Sequence, residues 1–114
     1  GIYQGIVSDV DTEEGEFILS LFGVLEHVDD VTTSEAVGRT KPDDAMFETA
    51  LSKSPVTPER TVMVGDRYDH DVAGAVRHGI HGVAFGETAD GPDASHRIDD
   101  LRAVLDIVVV RGER

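Results

Sequence analysis

The sequence lacks cysteine and tryptophan, and it has no apolar run near the roughly 20 residues that cross a membrane. Without cysteine, the chain cannot form disulfide bridges, thiolate metal sites or thiol nucleophiles. A charged segment followed by an apolar one, which is typical of a secretory signal peptide, does not open the sequence. We therefore expect a soluble, cytoplasmic protein that is not embedded in a membrane.

Positive charge is also scarce, because 10 Lys and Arg residues face 23 Asp and Glu residues and give a net charge of −13. This charge repels nucleic-acid backbones and anionic lipid, so a nucleic-acid binder or a membrane-surface protein is disfavoured. The only lysines are Lys41 and Lys53. An acid-rich, lysine-poor chain with an ordinary apolar fraction is typical of a halophilic protein, whose self-repulsion is screened by salt. The alternative is a mildly acidic protein from a cell with less salt.

No internal repeat or linker divides the sequence, so residues 1–114 are predicted to form one domain with one core. Short apolar runs alternate with stretches of helical periodicity. The runs predict strands at Gly5–Ser8, Val28–Thr32, Thr61–Val64, His81–Phe85 and Arg97–Ile98. Helices are predicted from Glu13 to about Leu21 or Phe22, after Pro42, over Asp71–His78 and over Asp99–Asp106. This alternation predicts an α/β fold with a Rossmann-like parallel sheet and helices on both of its faces.

Polar residues follow two of the predicted strands, and in parallel sheets chemistry collects at the carboxyl ends of strands. Gly65 allows a sharp turn after one strand, and Asp66 follows it directly. Asp71 begins the next helix, on a turn that can bring its carboxylate back towards Asp66. Two such carboxylates suit Mg²⁺, which prefers oxygen ligands. The alternative interpretation makes Asp66 a turn former and Asp71 a helix N-cap.

Lys41 and Ser8 are two further candidates for binding a phosphate. Pro42 holds Lys41 just before a helix, where an ammonium group can neutralise a phosphate or a carboxylate nucleophile. Ser8 ends an apolar strand, where its hydroxyl can donate to a phosphate oxygen. The plainer alternatives are a surface lysine and a hydroxyl that caps the helix near Glu13.

Together, a hydroxyl at a strand end, Lys-Pro before a helix, and Gly-Asp followed later by Asp resemble the haloacid dehalogenase-like (HAD) hydrolase superfamily. The resemblance extends from about Gly5 to Phe85. Its specific stretches are Ile6–Asp9, Thr33–Asp43 and Val62–Asp66, together with Asp71, Gly74, Ala75 and Gly79. The resemblance implies a HAD-like core and a Mg²⁺-dependent phosphatase that acts on a small phosphorylated metabolite through an aspartyl-phosphate.

The resemblance also implies a role for each candidate residue. Ser8 binds the phosphoryl oxygen, and Lys41 stabilises charge on the nucleophile and on the transferred group. Asp66 ligates Mg²⁺, and Asp71 ligates it directly, through water, or acts by orienting Lys41. Asp9 stands where relatives often carry asparagine, and it is placed with Ser8 and Lys41 among the residues that bind the substrate phosphate. The family's dehalogenating branch needs no metal, so Asp66 together with Asp71 favours the phosphatase branch.

The family's first motif, Asp-x-Asp-x-Thr/Val after an apolar strand, has no clear counterpart in the sequence. Asp9 and Asp11 have the right spacing, but Glu13 takes the place of Thr or Val. The residues up to Lys41 also fit the stretch between the second and third motifs. We interpret Asp9 and Asp11 as acids that favour a helix start. We therefore expect the nucleophile, the central strand before it and the cap to lie outside this chain, which would be part of a longer hydrolase.

Functions from more than one class remain open. The alternative to a phosphatase is a non-catalytic HAD-like module that binds phosphate, a metal or a partner. Within the family, a 2-haloacid dehalogenase-like enzyme is another alternative, and a receiver-type phosphoacceptor fits the order of the motifs less well. A missing N-terminal segment or a homo-oligomer could complete the site. In this family the cap largely determines the substrate, and we expect the cap to lie outside this chain.

Overall fold

The computed structural model describes residues 3–9, 12–21, 23 and 25–107, and the chain divides into two compact units. The N-terminal unit is Tyr3–Thr57, and the C-terminal unit contains the described residues from Pro58 onward. Both units combine parallel strands with helices, so the predicted α/β class is confirmed. The longest helices in the described ranges have 10 residues, and no helix there is long and apolar enough to span a membrane.

The N-terminal unit begins with a β-α-β arrangement. Strand β1 (Gly5–Ser8) pairs in parallel with β2 (Asp30–Thr33), and Ser8 lies opposite Thr33. Helix α1 (Thr12–Leu21) lies in the connection, as a parallel pair requires a crossover between its strands. The helix was predicted almost to the residue, whereas β2 begins two residues later than its apolar run indicates.

A short helix that the sequence did not predict follows β2 directly. Helix α2 spans Ser34–Val37, and the Thr33 hydroxyl caps it by accepting a hydrogen bond from the Ala36 backbone N–H at 3.2 Å. The helix ends at Gly38, whose φ of 84° lies in the left-handed region that glycine adopts without strain. Caps at both ends therefore define a helix that is too short to show an apolar periodicity.

Helix α3 (Asp44–Lys53) begins where the proline and the two acids predicted a helix start. Asp43 is its N-cap, and its Oδ1 accepts a hydrogen bond from the Ala45 backbone N–H at 2.9 Å. Met46 and Phe47, in the first turn, are among the most buried side chains of the protein, with exposures of 0% and 2%. The cap and the buried pair together anchor the amino end of α3.

The C-terminal unit contains a three-stranded parallel sheet. Its strands, in order, are β3 (Val62–Gly65), β4 (His81–Phe85) and β5 (His96–Ile98). Between β3 and β4 the chain forms a π-helical turn at Tyr68–Val72 and then helix α4 at Ala73–Val76. Three 3₁₀ turns complete the unit, at Pro58–Arg60, Glu87–Ala89 and Leu101–Asp106.

Two helix predictions for this unit were wrong, the first in the extent of the helix and the second in its type. The helix expected at Asp71–His78 instead begins at Tyr68, with a π turn, and ends at Val76. The last helix, expected from Asp99, is a 3₁₀ turn whose N-cap is Asp100. Residues 108–110 lie outside the described residues.

The core of the C-terminal unit forms where the π turn packs on β4. Val72, Val83 and Ala84 are completely buried. A Cβ atom on Gly82 of β4 would lie 2.9 Å from Val72 Cγ1 and 3.0 Å from the Val72 carbonyl oxygen, so only glycine allows this close approach. The approach fixes the end of the loop that follows β3.

Replacing Asp43 by alanine should lower the free energy of unfolding by about 1 kcal/mol, because the Ala45 N–H would lose its acceptor. Asp43→Asn is the matched control, since asparagine caps about as well and the exposed Asp43–Arg39 pair at 4.0 Å contributes little. Urea unfolding followed by far-UV circular dichroism measures both variants. Equal stability of the two variants would contradict the capping role.

Candidate active site

The five residues that the sequence singled out fall into two groups. Ser8, Asp9 and Lys41 belong to the N-terminal unit. Asp66 and Asp71 belong to the C-terminal unit. Asp11, the other member of the Asp-x-Asp pattern, lies outside the described residues.

In the N-terminal unit, Lys41 is held at the carboxyl end of β1 by two hydrogen bonds. Its backbone N–H donates to Asp9 Oδ1 at 2.8 Å, and its ammonium Nζ donates to the Val7 carbonyl oxygen at 3.1 Å. Ser8 lies between these two acceptors in the chain and is half-buried. The structure therefore brings Ser8, Asp9 and Lys41 together, although more than 30 residues separate Lys41 from the strand.

The other lysine forms a different kind of contact. Lys53 Nζ lies 3.1 Å from Asp30 Oδ2 and donates to Thr32 Oγ1 at 3.0 Å. Thr32 is 1% exposed, and its hydroxyl also donates to Asp30 Oδ2. Lys53 thus links the carboxyl end of α3 to β2. Lys53 therefore has a structural role. In this it differs from Lys41, which lies at the end of β1.

In the C-terminal unit, Asp66 is exposed and directly follows the last residue of β3, Gly65. Asp71 is only 3% exposed, and its Oδ2 accepts a hydrogen bond from the Arg67 backbone N–H at 3.2 Å. A Cβ atom built on Gly65 would clash with Asp71 Cβ and would lie 2.5 Å from Asp71 Cγ and Oδ2. The Asp71 carboxylate therefore lies against the backbone of Gly65, the residue that directly precedes Asp66 in the chain.

The π turn produces this return of Asp71 to the strand end. The Arg67 carbonyl accepts hydrogen bonds from the N–H groups of both Asp71, at 2.9 Å, and Val72, at 3.4 Å. Arg67 is the N-cap residue of the turn, so Asp71 lies inside the turn and is not its N-cap. A π turn is a wide and uncommon form that often occurs at functional sites.

The residues around Gly65 fit a hard divalent cation by their donor chemistry. Asp66 and Asp71 supply carboxylate oxygens, which Mg²⁺ prefers over nitrogen or sulfur. The missing Cβ of Gly65 leaves the space that the Asp71 carboxylate fills. A buried carboxylate needs hydrogen bonds or a cation to offset its desolvation, and the Arg67 N–H supplies one such bond.

The sequence did not point to Tyr68, which contacts a distant loop. Its hydroxyl donates to Asp93 Oδ2 at 3.0 Å and accepts from the Asp93 backbone N–H at 3.2 Å. The bond from that N–H lowers the pKa of Tyr68, but desolvation and the carboxylates of Asp93 and Asp69 outweigh it and raise the pKa above its ordinary value. No local sequence signal marks this contact, because 25 residues separate its two partners.

Comparison with known proteins gives one family match that covers more than half of the chain. Residues 38–106 match the family model described as HAD-hydrolase-like. The solved structure of a HAD phosphatase from Thermococcus onnurineus superposes with a TM-score of 0.85 at 30% identity, over 94% of this chain and 50% of that one.

Two curated relatives carry the names of phosphatases. The glyceraldehyde 3-phosphate phosphatase of Methanothermobacter thermautotrophicus is 31% identical over 97 residues, which are 84% of this chain and 42% of the relative. The ribulose-1,5-bisphosphate 5-phosphatase of Halopiger xanaduensis is 34% identical over 120 aligned positions, and the alignment covers 95% of this chain and 50% of the relative. This chain spans half or less of the length of these proteins.

Replacing Gly65 by alanine should destabilise the protein by about 1–3 kcal/mol, because the new methyl group would displace the Asp71 side chain from its buried position. Gly5→Ala is the matched control in β1, where the nearest atoms, Asp30 O and Tyr3 Cε1, lie at an ordinary 3.8 Å. The control should change stability by less than about 0.5 kcal/mol. Chemical denaturation measures both variants, and equal stabilities would mean that Asp71 does not depend on Gly65.

Proposed function

This chain belongs to the HAD-like hydrolase superfamily, and from that premise we propose that the protein is a Mg²⁺-dependent phosphatase for a small phosphorylated metabolite. The observation that carries this proposal is the buried Asp71 carboxylate held against Gly65, beside the exposed Asp66. The names of two relatives, phosphatases for glyceraldehyde 3-phosphate and for ribulose-1,5-bisphosphate, support a small organic phosphate as the substrate.

In this proposal Lys41 supplies positive charge and Ser8 supplies a hydrogen-bond donor for the phosphoryl group. A lysine that is fixed at both its backbone and its ammonium group is already oriented when the substrate arrives. Asp9 carries the same sign of charge as phosphate and accepts from Lys41 N–H. This contact supports a role for Asp9 in positioning Lys41, which leaves contact with the phosphate to Ser8 and Lys41.

Asp66 and Asp71 are the residues that would hold Mg²⁺. The ion, when bound, neutralises charge on the transferring phosphoryl group, and positioning and electrostatics account for most of the catalysis in such reactions. The burial of Asp71 and its bond to Arg67 N–H keep one carboxylate in place before any cation binds. The carboxylate pair also supports the phosphatase branch of the superfamily over the dehalogenating branch.

We place the aspartyl nucleophile, and the strand that carries it, outside these 114 residues. Within the described residues, β1 pairs with β2 alone and β3 pairs with β4 alone, so each has one edge without a neighbouring strand. An edge strand readily accepts another strand. This pairing pattern supports the proposal.

A non-catalytic HAD-like module remains the second candidate function. It is favoured by the lack of a clear nucleophile motif, since Glu13 stands where that motif has Thr or Val.

Two broader interpretations also stay predictions. One is that residues 1–114 form a single core domain, and the other is that the excess of acidic residues reflects a halophilic cytoplasm.

In the gene product that contains this chain and its upstream residues, Asp66→Asn should reduce Mg²⁺-dependent release of phosphate from an aryl phosphate by at least about 100-fold. Asp69→Asn is the matched control, because it removes the same charge from an exposed residue of the same loop. The control should stay within about twofold of the parent activity. If Asp66→Asn turns over substrate at the parent rate, Asp66 does not hold the metal.

The 114-residue chain alone should release no phosphate from the same aryl phosphate in the presence of Mg²⁺, because the nucleophile would be absent. The same assay on the longer gene product should show turnover. Activity of the short chain that disappears in Asp9→Asn would make Asp9 the nucleophile and overturn the motif assignment. Inactivity of both proteins would favour the non-catalytic module.

A further inference from the structure

Tyr68 joins two loops that follow neighbouring parallel strands. It begins the π turn, two residues after Asp66 and three before Asp71. Its hydroxyl both donates to and accepts from Asp93, which lies in the β4–β5 loop, defined here as Gly86–Ser95. Because β3 and β4 are parallel and Gly65 pairs with Ala84, the two loops leave the same edge of the sheet.

The ring of Tyr68 adds a second, independent contact between these loops. It packs against a cluster of completely buried residues, Val72, Ala84 and Ala89. A Cβ atom on Gly91 would clash with the ring, lying 2.7 Å from Tyr68 Cδ1 and Cζ. Gly91 does not have a positive φ, so its backbone conformation does not require glycine. The nearness of the Tyr68 ring is therefore the remaining reason for a glycine at this position. Gly91 and Asp93 therefore both lie against the Tyr68 side chain.

We propose that Tyr68 is a positioning residue that couples the Asp66–Asp71 loop to the β4–β5 loop. By holding the first residue of the π turn in place, it fixes the turn that presents Asp71 to Gly65. A divalent cation at Asp66 and Asp71 then also orders the β4–β5 loop, since coupling between two sites is reciprocal. This inference rests on the metal-binding part of the proposed function.

The simpler interpretation is that Tyr68 only fills space. A space-filling ring would work equally well without its hydroxyl, so phenylalanine distinguishes the two interpretations. Tyr68→Phe keeps the packing on Val72 and Ala89 and removes both hydrogen bonds to Asp93. Tyr3→Phe is the matched control, because Tyr3 is the only other tyrosine and lies in the N-terminal unit.

The experiment uses the gene product that contains this chain and its upstream residues, called the parent chain below. It measures the Mg²⁺ affinity of this protein by calorimetry, and its amide hydrogen exchange with and without Mg²⁺. Tyr68→Phe should weaken Mg²⁺ binding by roughly threefold to tenfold, because part of the free energy of its two hydrogen bonds to Asp93 is transmitted to the metal site. Mg²⁺ should slow exchange across Gly86–Ser95 in the parent chain and in Tyr3→Phe, but much less in Tyr68→Phe. Gly91→Ala should act in the same direction as Tyr68→Phe, because its methyl group displaces the ring without altering the hydroxyl.

Several outcomes separate this inference from the proposed function. If Mg²⁺ binding is lost in Asp66→Asn but is unchanged in Tyr68→Phe, with the same slowing of exchange, the coupling is overturned and the metal site stands. If the parent chain and Asp66→Asn bind Mg²⁺ equally, or neither binds it, both the metal site and the coupling are overturned. A weaker Mg²⁺ affinity in Tyr68→Phe with loop protection like that of the parent also overturns the coupling between the loops.

Discussion

The contact between the Asp71 carboxylate and the Cβ-free backbone of Gly65 is the constraint on which the C-terminal unit depends. A buried carboxylate is costly unless it is hydrogen-bonded, and Asp71 meets this need by accepting from Arg67 N–H. To reach that position the chain forms a π turn, which leaves Val72 packed on β4 at Gly82. One side chain thus links the end of β3, the loop after it and the packing of the core.

In the N-terminal unit, the charged side chain that is held in place is a cation, Lys41. The long side chain of Lys41 loses conformational freedom when it is held at Val7, and its backbone is held at Asp9 as well. In a chain with a net charge of −13, each of its two lysines contacts a different set of acceptors. Lys53 contacts Asp30 and Thr32 and links α3 to β2, while Lys41 stays beside Ser8 at the strand end.

Local pattern predicted those elements whose residues repeat with a clear period. The α1 helix and β4 follow from apolar spacing, and the amino end of α3 follows from Pro42 and two acids. Helix α2 was missed, because its four residues are set by the Thr33 and Gly38 caps and not by an apolar face. The sequence predicted a helix start at Asp71, three residues after the π turn begins. Aspartate is a common N-cap residue, but the Asp71 carboxylate accepts a hydrogen bond from the N–H of Arg67, which precedes it in the chain.

The sequence by itself determined the α/β class, the family and the short-range parts of the candidate site, in which Gly65, Asp66 and Asp71 lie within seven residues. These features depend on residue type and on spacing along the chain, which a sequence displays directly. The tertiary structure alone decided that Asp9 holds the Lys41 backbone and that Tyr68 bonds to Asp93 across 25 residues. Such contacts form only when parallel strands bring distant loops to one edge of a sheet, and no local pattern encodes that proximity.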